Sequence, residues 1–273
     1  MCRDLSRKHG DRQPLLTLVT IALFAHLAWQ SAFCENANKN TFLRYEEPRL
    51  LTGRIYAKGS DRRNVLFKFS RQATRSGDNL QVLREYTHPD GRVAARERIY
   101  YAGDHLVSYE LEELQIGARG RAEIRRDPRP STGRIWFEYS DEPLTLAKPK
   151  TDSEQLHGEV LVNDMIGPFL VSHWEELISG KNVKCRYIVV PRRETVGFTF
   201  RKQSEEMHEG RSVVILKMEA TSPLIAVLVE PLFFTIEKNA PHHVLEYDGR
   251  TTPKIKSGSK WKDLDAVTVF DWP

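Results

Sequence analysis

From Leu50 to Ser140 apolar side chains recur at alternate positions, in runs separated by turn chemistry. Val65, Phe67 and Phe69 alternate with Lys68 and Ser70, the period of two that marks a strand with one buried face. Leu80, Val82 and Tyr86 share a phase within Asn79–Thr87. His88-Pro89-Asp90-Gly91 then predicts a tight turn, because Pro presets one dihedral and Gly accepts a positive φ. Further strands are expected over Arg92–Tyr101, His105–Gln115 and Arg121–Arg126, joined by Ala102-Gly103-Asp104 and Gly117-Ala118-Arg119-Gly120. A Pro-bearing loop, Asp127-Pro128-Arg129-Pro130, leads to Ile135, Phe137 and Tyr139 on one face of the next strand. Many outward positions carry Arg or Glu, as a sheet with one wet face requires. The pattern is that of a β-meander.

The period changes once. In Leu161–Ile178 the apolar residues Val162, Met165, Ile166, Phe169, Leu170, Trp174, Leu177 and Ile178 fall at intervals of one, three and four, which predicts an amphipathic helix. Pro168 starts or kinks it, and Gly180 suits its C-terminal cap. Strands resume at Val183–Val190, Thr195–Arg201, Ser212–Ala220, Leu232–Lys238 and Val244–Tyr247. Ser222–Glu230 reads as a short second helix with Ser at the cap and Pro after it, or as a strand. No repeat or linker divides the chain, so residues 50–252 read as a single β-rich domain, with 253–273 a poorly packed polar tail.

The N-terminus has a different character. Arg3, Arg7, Lys8 and Arg12 precede an apolar run from Leu15 to Trp29, and Ala32-Phe33-Cys34 offers small residues at both positions of a cleavage site. Residues 1–34 therefore read as a signal peptide, followed by a flexible lead-in over 35–49. An uncleaved anchor and a lipid-modified Cys34 are the alternatives, and all three put the bulk of the chain outside the cytoplasm, in a periplasm-like compartment. Removing 1–34 takes away four basic and two acidic residues, leaving 37 against 35. A balance so even, without clustered Lys and Arg, speaks against nucleic acid as a partner. Of three cysteines only Cys185 remains, in phase with Val183, Tyr187 and Val189, and so expected as a buried inert thiol.

The segment order resembles an uncharacterised bacterial periplasmic family of unknown function. The resemblance rests on the Pro-Asp-Gly hairpin, the helix ending near Trp174-Glu175-Glu176-Leu177, and Val189-Val190-Pro191-Arg192-Arg193-Glu194-Thr195-Val196-Gly197-Phe198. Ser222-Pro223-Leu224-Ile225, Pro231-Leu232-Phe233-Phe234-Thr235 and Glu246-Tyr247-Asp248-Gly249 complete it, over roughly residues 50–252. The family is thought to share its shape with the half-barrel carriers that move lipoproteins to the outer membrane. The resemblance implies a mainly β fold: a strongly curved antiparallel sheet wrapped around one amphipathic helix.

Catalytic chemistry finds no foothold in the sequence. There is no Gly-x-Ser-x-Gly elbow and no Ser-x-x-Lys, so no enzyme is expected, and no cofactor. His242-His243 with Glu246 and Asp248 is the densest set of metal ligands, but adjacent residues on a strand point to opposite faces, and an exposed turn is expected there. His208 reads as a solvated hairpin tip and His173 as a boundary residue beside the helix stripe. Arg125-Arg126 with Arg129, and Arg192-Arg193, are short basic groups suited to anionic headgroups or glycans, or simply to solvated strand ends. The remaining candidate is the concave face. Phe67, Phe69, Phe137, Tyr139, Phe198 and Phe200 would line it, with Phe169, Leu170 and Trp174 entering from the helix. A hollow face would bind an apolar or amphipathic, lipid-like envelope ligand. A filled face would be only a core, leaving a scaffold or interaction protein that recruits partners through its edges or polar tail.

Overall fold

A computed structural model describes residues 48–127, 133–142, 148–227 and 229–272. The expected signal segment, the lead-in up to residue 47 and the Pro128–Pro130 stretch lie outside the described residues. All the described residues fall in one compact unit.

The chain is mainly β. Before the helical segment come β1 (Leu50–Ala57), β2 (Val65–Ser76), β3 (Asn79–Thr87), β4 (Val93–Ala102), β5 (His105–Glu113), β6 (Ala118–Arg126), β7 (Gly133–Ser140), β8 (Lys150–Gln155) and the short β9 (Val160–Leu161). After it come β10 (Val183–Val189), β11 (Glu194–His208), β12 (Arg211–Ala220), β13 (Leu232–Glu237), β14 (Val244–Ser257) and β15 (Lys260–Asp271). All belong to one sheet in the order β8-β7-β6-β5-β4-β3-β2-β1-β15-β14-β13-β12-β11-β10-β9. Every neighbouring pair is antiparallel except β9 with β10. The meander turns have the chemistry the sequence predicts: the Gly91 amide donates to the His88 carbonyl at 2.9 Å, with Gly91 at φ +90°.

This sheet curls until its ends meet. β8 and β11 are twelve steps apart in strand order, ~58 Å in a flat sheet at ~4.8 Å per strand. Yet the Glu154 carboxylate on β8 accepts the Thr195 amide of β11 at 3.1 and 3.2 Å. Midway round, Gln115 in the β5–β6 turn exchanges hydrogen bonds of 2.9 and 2.7 Å with the Lys254 backbone on β14. The 3₁₀ turn Val190–Arg192 presses on β6 so closely that a Cβ on Gly120 would lie 2.5 Å from Val190 Cγ1.

One expectation is overturned. Residues 253–271 are no poorly packed tail: they complete β14 and form β15, which pairs with both β14 and β1 and so joins the two halves of the sheet. Leu264 and Ala266 are buried on its inner face. The Lys- and Ser-rich hairpin end masks the alternation that starts at Leu264, and Pro253 sits in a bulge where the β14–β15 register shifts, a place where a strand tolerates Pro.

The amphipathic segment is housed inside the curl. It begins as a 3₁₀ turn at Asn163–Met165 and continues as α1 (Ile166–Ser172) and α2 (Trp174–Ile178). The break falls at His173, just after Ser172, whose Oγ donates to the Phe169 carbonyl at 2.8 Å and so competes with the helical ladder. Ile166, Phe169, Leu170, Trp174 and Leu177 are buried from it. They join one large apolar cluster with side chains from β3–β7 and from β10–β13. A smaller cluster holds Leu51, Ile55, Phe67, Phe69 and Leu264. The short second helix is α3 (Pro223–Ala226), with no buried residue. Among the described residues no helix is long and apolar enough to cross a membrane.

Candidate functional site

The nine residues expected to line the concave face are all buried, none exposing more than 8% of its surface. Phe137, Tyr139, Phe169, Leu170, Trp174, Phe198 and Phe200 come together in the large cluster, where Phe169 meets Phe200 at 5.7 Å between ring centroids. Phe67 and Phe69 do not join them; they pack in the smaller cluster, where Phe69 lies 5.4 Å from Tyr86 and 5.6 Å from Phe270. Side chains around a ligand-sized void would expose area to it, and Phe200 (0%), Leu170 (1%) and Phe169 (2%) leave almost none.

Unforeseen in the sequence reading is a polar centre reaching from β2–β4 to the inserted segment. Arg71 on β2 grips Asp164 in the 3₁₀ turn with two hydrogen bonds, Nε to Oδ1 at 2.6 Å and Nη2 to Oδ2 at 3.0 Å. The two side chains are 6% and 1% exposed. Tyr101 of β4 donates to the same carboxylate at 3.0 Å, and Arg71 also donates to the Pro48 carbonyl. Beside this lies Glu97 of β4, wholly buried. It accepts from Asn163 Nδ2 at 2.8 Å, from Tyr86 at 3.3 Å, and from Thr252, which the β14 bulge presents. Arg84 Nε faces its other oxygen at 3.3 Å as an ion pair, out of line for a hydrogen bond. Tyr187 of β10 donates to Asn163 Oδ1. Asn163 thus bridges β4, β10 and β14.

Electrostatics acts on the Arg84 guanidinium and on the buried phenols. Burial works against the Arg84 charge, but Tyr86, Glu97 and Asp164 around it more than offset this and raise its pKa. Burial, first of all, raises the phenols of Tyr86, Tyr109 and Tyr187. Arg84 is thus held as a cation and these phenols as neutral hydroxyls at neutral pH. Desolvation pushes the Cys185 thiol up to about 12, so it is not a thiolate at neutral pH.

The other candidates scatter. His242 stacks on Trp174 (4.1 Å between centroids) and His243 on Trp272 (3.9 Å), so the adjacent histidines turn apart and are half-buried rather than exposed. His173 Nδ1 lies 3.2 Å from Glu176 Oε1, and His208 ends β11 at a hairpin. Arg125 pairs with Glu123 and Arg192 with Glu194; Arg129 lies outside the described residues. Among the described residues no group of three or more His, Cys, Asp or Glu is placed to hold a metal.

A signal for the polar centre was present in the strand phase. Arg71 follows Phe67 and Phe69, Arg84 lies between Val82 and Tyr86, and Glu97 precedes Ile99 and Tyr101, each on the inward phase of its strand. Charges on the buried face of three successive strands imply a shared partner.

No family model and no curated protein matches the chain. Among solved structures it is similar to one described as the beta-barrel-like protein of domain of unknown function DUF1849 from Brucella abortus. The two are 9% identical with a TM-score of 0.37, the match covering 81% of this chain and 96% of that one.

Proposed function

We propose that this is an exported, non-enzymatic cell-envelope protein that works through its outer surface, as a scaffold or interaction module. Its concave face holds its own helical segment rather than a small molecule. The observation that carries this is the burial of all nine concave-face residues to 8% exposure or less, seven of them in one cluster with the side chains of α1 and α2. The polar centre supports it, since Arg71–Asp164 and Glu97–Asn163 tie that segment to the sheet instead of facing a ligand. A carrier must open to load and release, and a plug fastened by a buried bidentate ion pair resists opening.

The test is to extract the purified full chain with organic solvent and identify what is released by mass spectrometry. The reading expects no apolar molecule in a fixed ratio to protein. One lipid or fatty acid per chain would overturn it.

A further inference from the structure

The end of the β14–β15 hairpin stands clear of the sheet. The β13 ladder stops at Asp248 and the β1 ladder at Ala266, so from Gly249 to Asp265 the two strands pair only with each other. A two-stranded ribbon is marginal by itself in water. This one is propped at Lys254, through Gln115 and through an ion pair with Glu113 at 3.0 Å. Beyond Lys254 the prop ends, and every residue from Ile255 to Asp263 is exposed.

That tip has an unusual composition for a solvated turn. Lys256 and Trp261 are cross-strand partners, with Lys256 Nζ 6.0 Å from the indole centroid. Ile255 faces Lys262 and Ser257 faces Lys260, and Gly258 turns the chain at φ +62°. Lys256, Lys260 and Lys262 have no carboxylate partner among the described residues, whereas Arg96 and Arg98 nearby in the sheet share Glu112. Trp261 and Ile255 are each 38% exposed, and Leu114, beside the propping Gln115, is 45% exposed.

We infer that this hairpin tip is a docking element for an anionic lipid surface. The lysines supply attraction to acidic headgroups, and an indole with an aliphatic neighbour suits the headgroup boundary. The face pattern selects lipid over an acidic protein or polyanion. Successive strand residues alternate faces, so Trp261 and Ile255 lie on opposite sides of the ribbon. A partner surface covers one side, whereas a ribbon entering a lipid boundary is wetted on both. The inference rests on the reading of an envelope protein that acts through its surface.

The full chain is to be sedimented with phosphatidylglycerol vesicles, with phosphatidylcholine vesicles, and in parallel titrated with heparin. Wild type should bind phosphatidylglycerol and not phosphatidylcholine. K256Q/K260Q/K262Q should weaken that binding on the order of 100-fold, from the attraction of about three lysines. I255S/W261S should weaken it at least about tenfold while leaving any heparin binding unchanged, since burial of two apolar side chains is lost. Both variants should melt like wild type, because the positions are exposed. Three results would overturn the inference. One is no binding to phosphatidylglycerol. Another is either variant sedimenting like wild type, which would place the binding elsewhere in the chain. The last is heparin bound as tightly as the vesicles with I255S/W261S unaffected on both. None of these touches the solvent-extraction result, so the surface reading and this docking element can fail separately.

Discussion

Breaking the Arg71–Asp164 pair should be the most damaging single polar change in the molecule. The Asp164 side chain is 1% exposed and Arg71 is 6% exposed, so neither charge has water to fall back on. Asp164→Asn keeps the shape and removes the charge, leaving a buried guanidinium against a neutral amide. Breaking a buried ion pair by removing one partner costs about 3–5 kcal/mol. At roughly 2–4 °C per kcal/mol for a unit of this size, Tm should fall by about 6–20 °C. Arg71→Met should cost a similar amount, because the buried Asp164 carboxylate would lose both guanidinium hydrogen bonds. Arg71→Met with Asp164→Asn removes both charges and should be less destabilised than the two single costs added, by about 0.5–3 kcal/mol. Urea unfolding of the four proteins at neutral pH, with equal slopes checked across the set, measures this cycle. Single costs under about 1 kcal/mol, the range of an exposed pair, or strict additivity would refute the claim that the pair is dry and coupled.

Other outcomes follow from the same geometry. Trp174→Ala, which removes a 6% exposed indole stacked on His242, should cost about 3–5 kcal/mol in thermal or urea unfolding. Gly120→Ala would put a Cβ 2.5 Å from Val190 Cγ1 and 2.6 Å from the Glu138 carbonyl oxygen. It should cost about 1–3 kcal/mol by the same assay, and a neutral result would mean that the Val190 turn does not press on β6. Hydrogen bonds from Lys202 and Lys238 hold Glu205 at about 2, below its ordinary 4.5. A depressed carboxylate adds stability that is whole above about 4.5 and is lost as pH falls toward about 2. Carboxyl-resolved NMR titration should place its midpoint near 2, and Glu205→Gln should flatten the stability slope in that window.

What the sequence discloses and what it hides divide along physical lines. The meander is legible because each strand buries one face, so Val65-Phe67-Phe69 or Ile135-Phe137-Tyr139 announces its phase without help from the rest of the chain. The helical segment announces itself by its change of period, though not its break at His173, where the backbone leaves the helical region at φ −105°, ψ 17°. The β14–β15 hairpin was misread because its projecting end is soluble by composition, and it is the pairing of β15 with β1, from Thr52–Asp271 to Ala57–Ala266, that makes its base central. The filling of the concave face is a property of distance. Phe169 and Phe200 read equally well as pocket walls or as partners, and a separation of 5.7 Å decides it. The polar centre needs three strands, a 3₁₀ turn and a bulge to converge. Its inward charges could be seen one by one, but not that Asp164 and Asn163 would meet them.

The claim that the interior is filled by the chain's own helical segment meets its most direct test in ligand-dependent stability. The purified protein would be unfolded thermally with and without a long-chain fatty acid held below its micelle concentration. A ligand present at 100 times its dissociation constant adds about 2.7 kcal/mol to the folded state, which here means a rise of roughly 5–11 °C. The account predicts no rise in Tm at any fatty-acid concentration in that range, with Trp174 and its neighbours remaining as buried as they are now. A saturable increase of that size would contradict it and restore the concave face as a binding site.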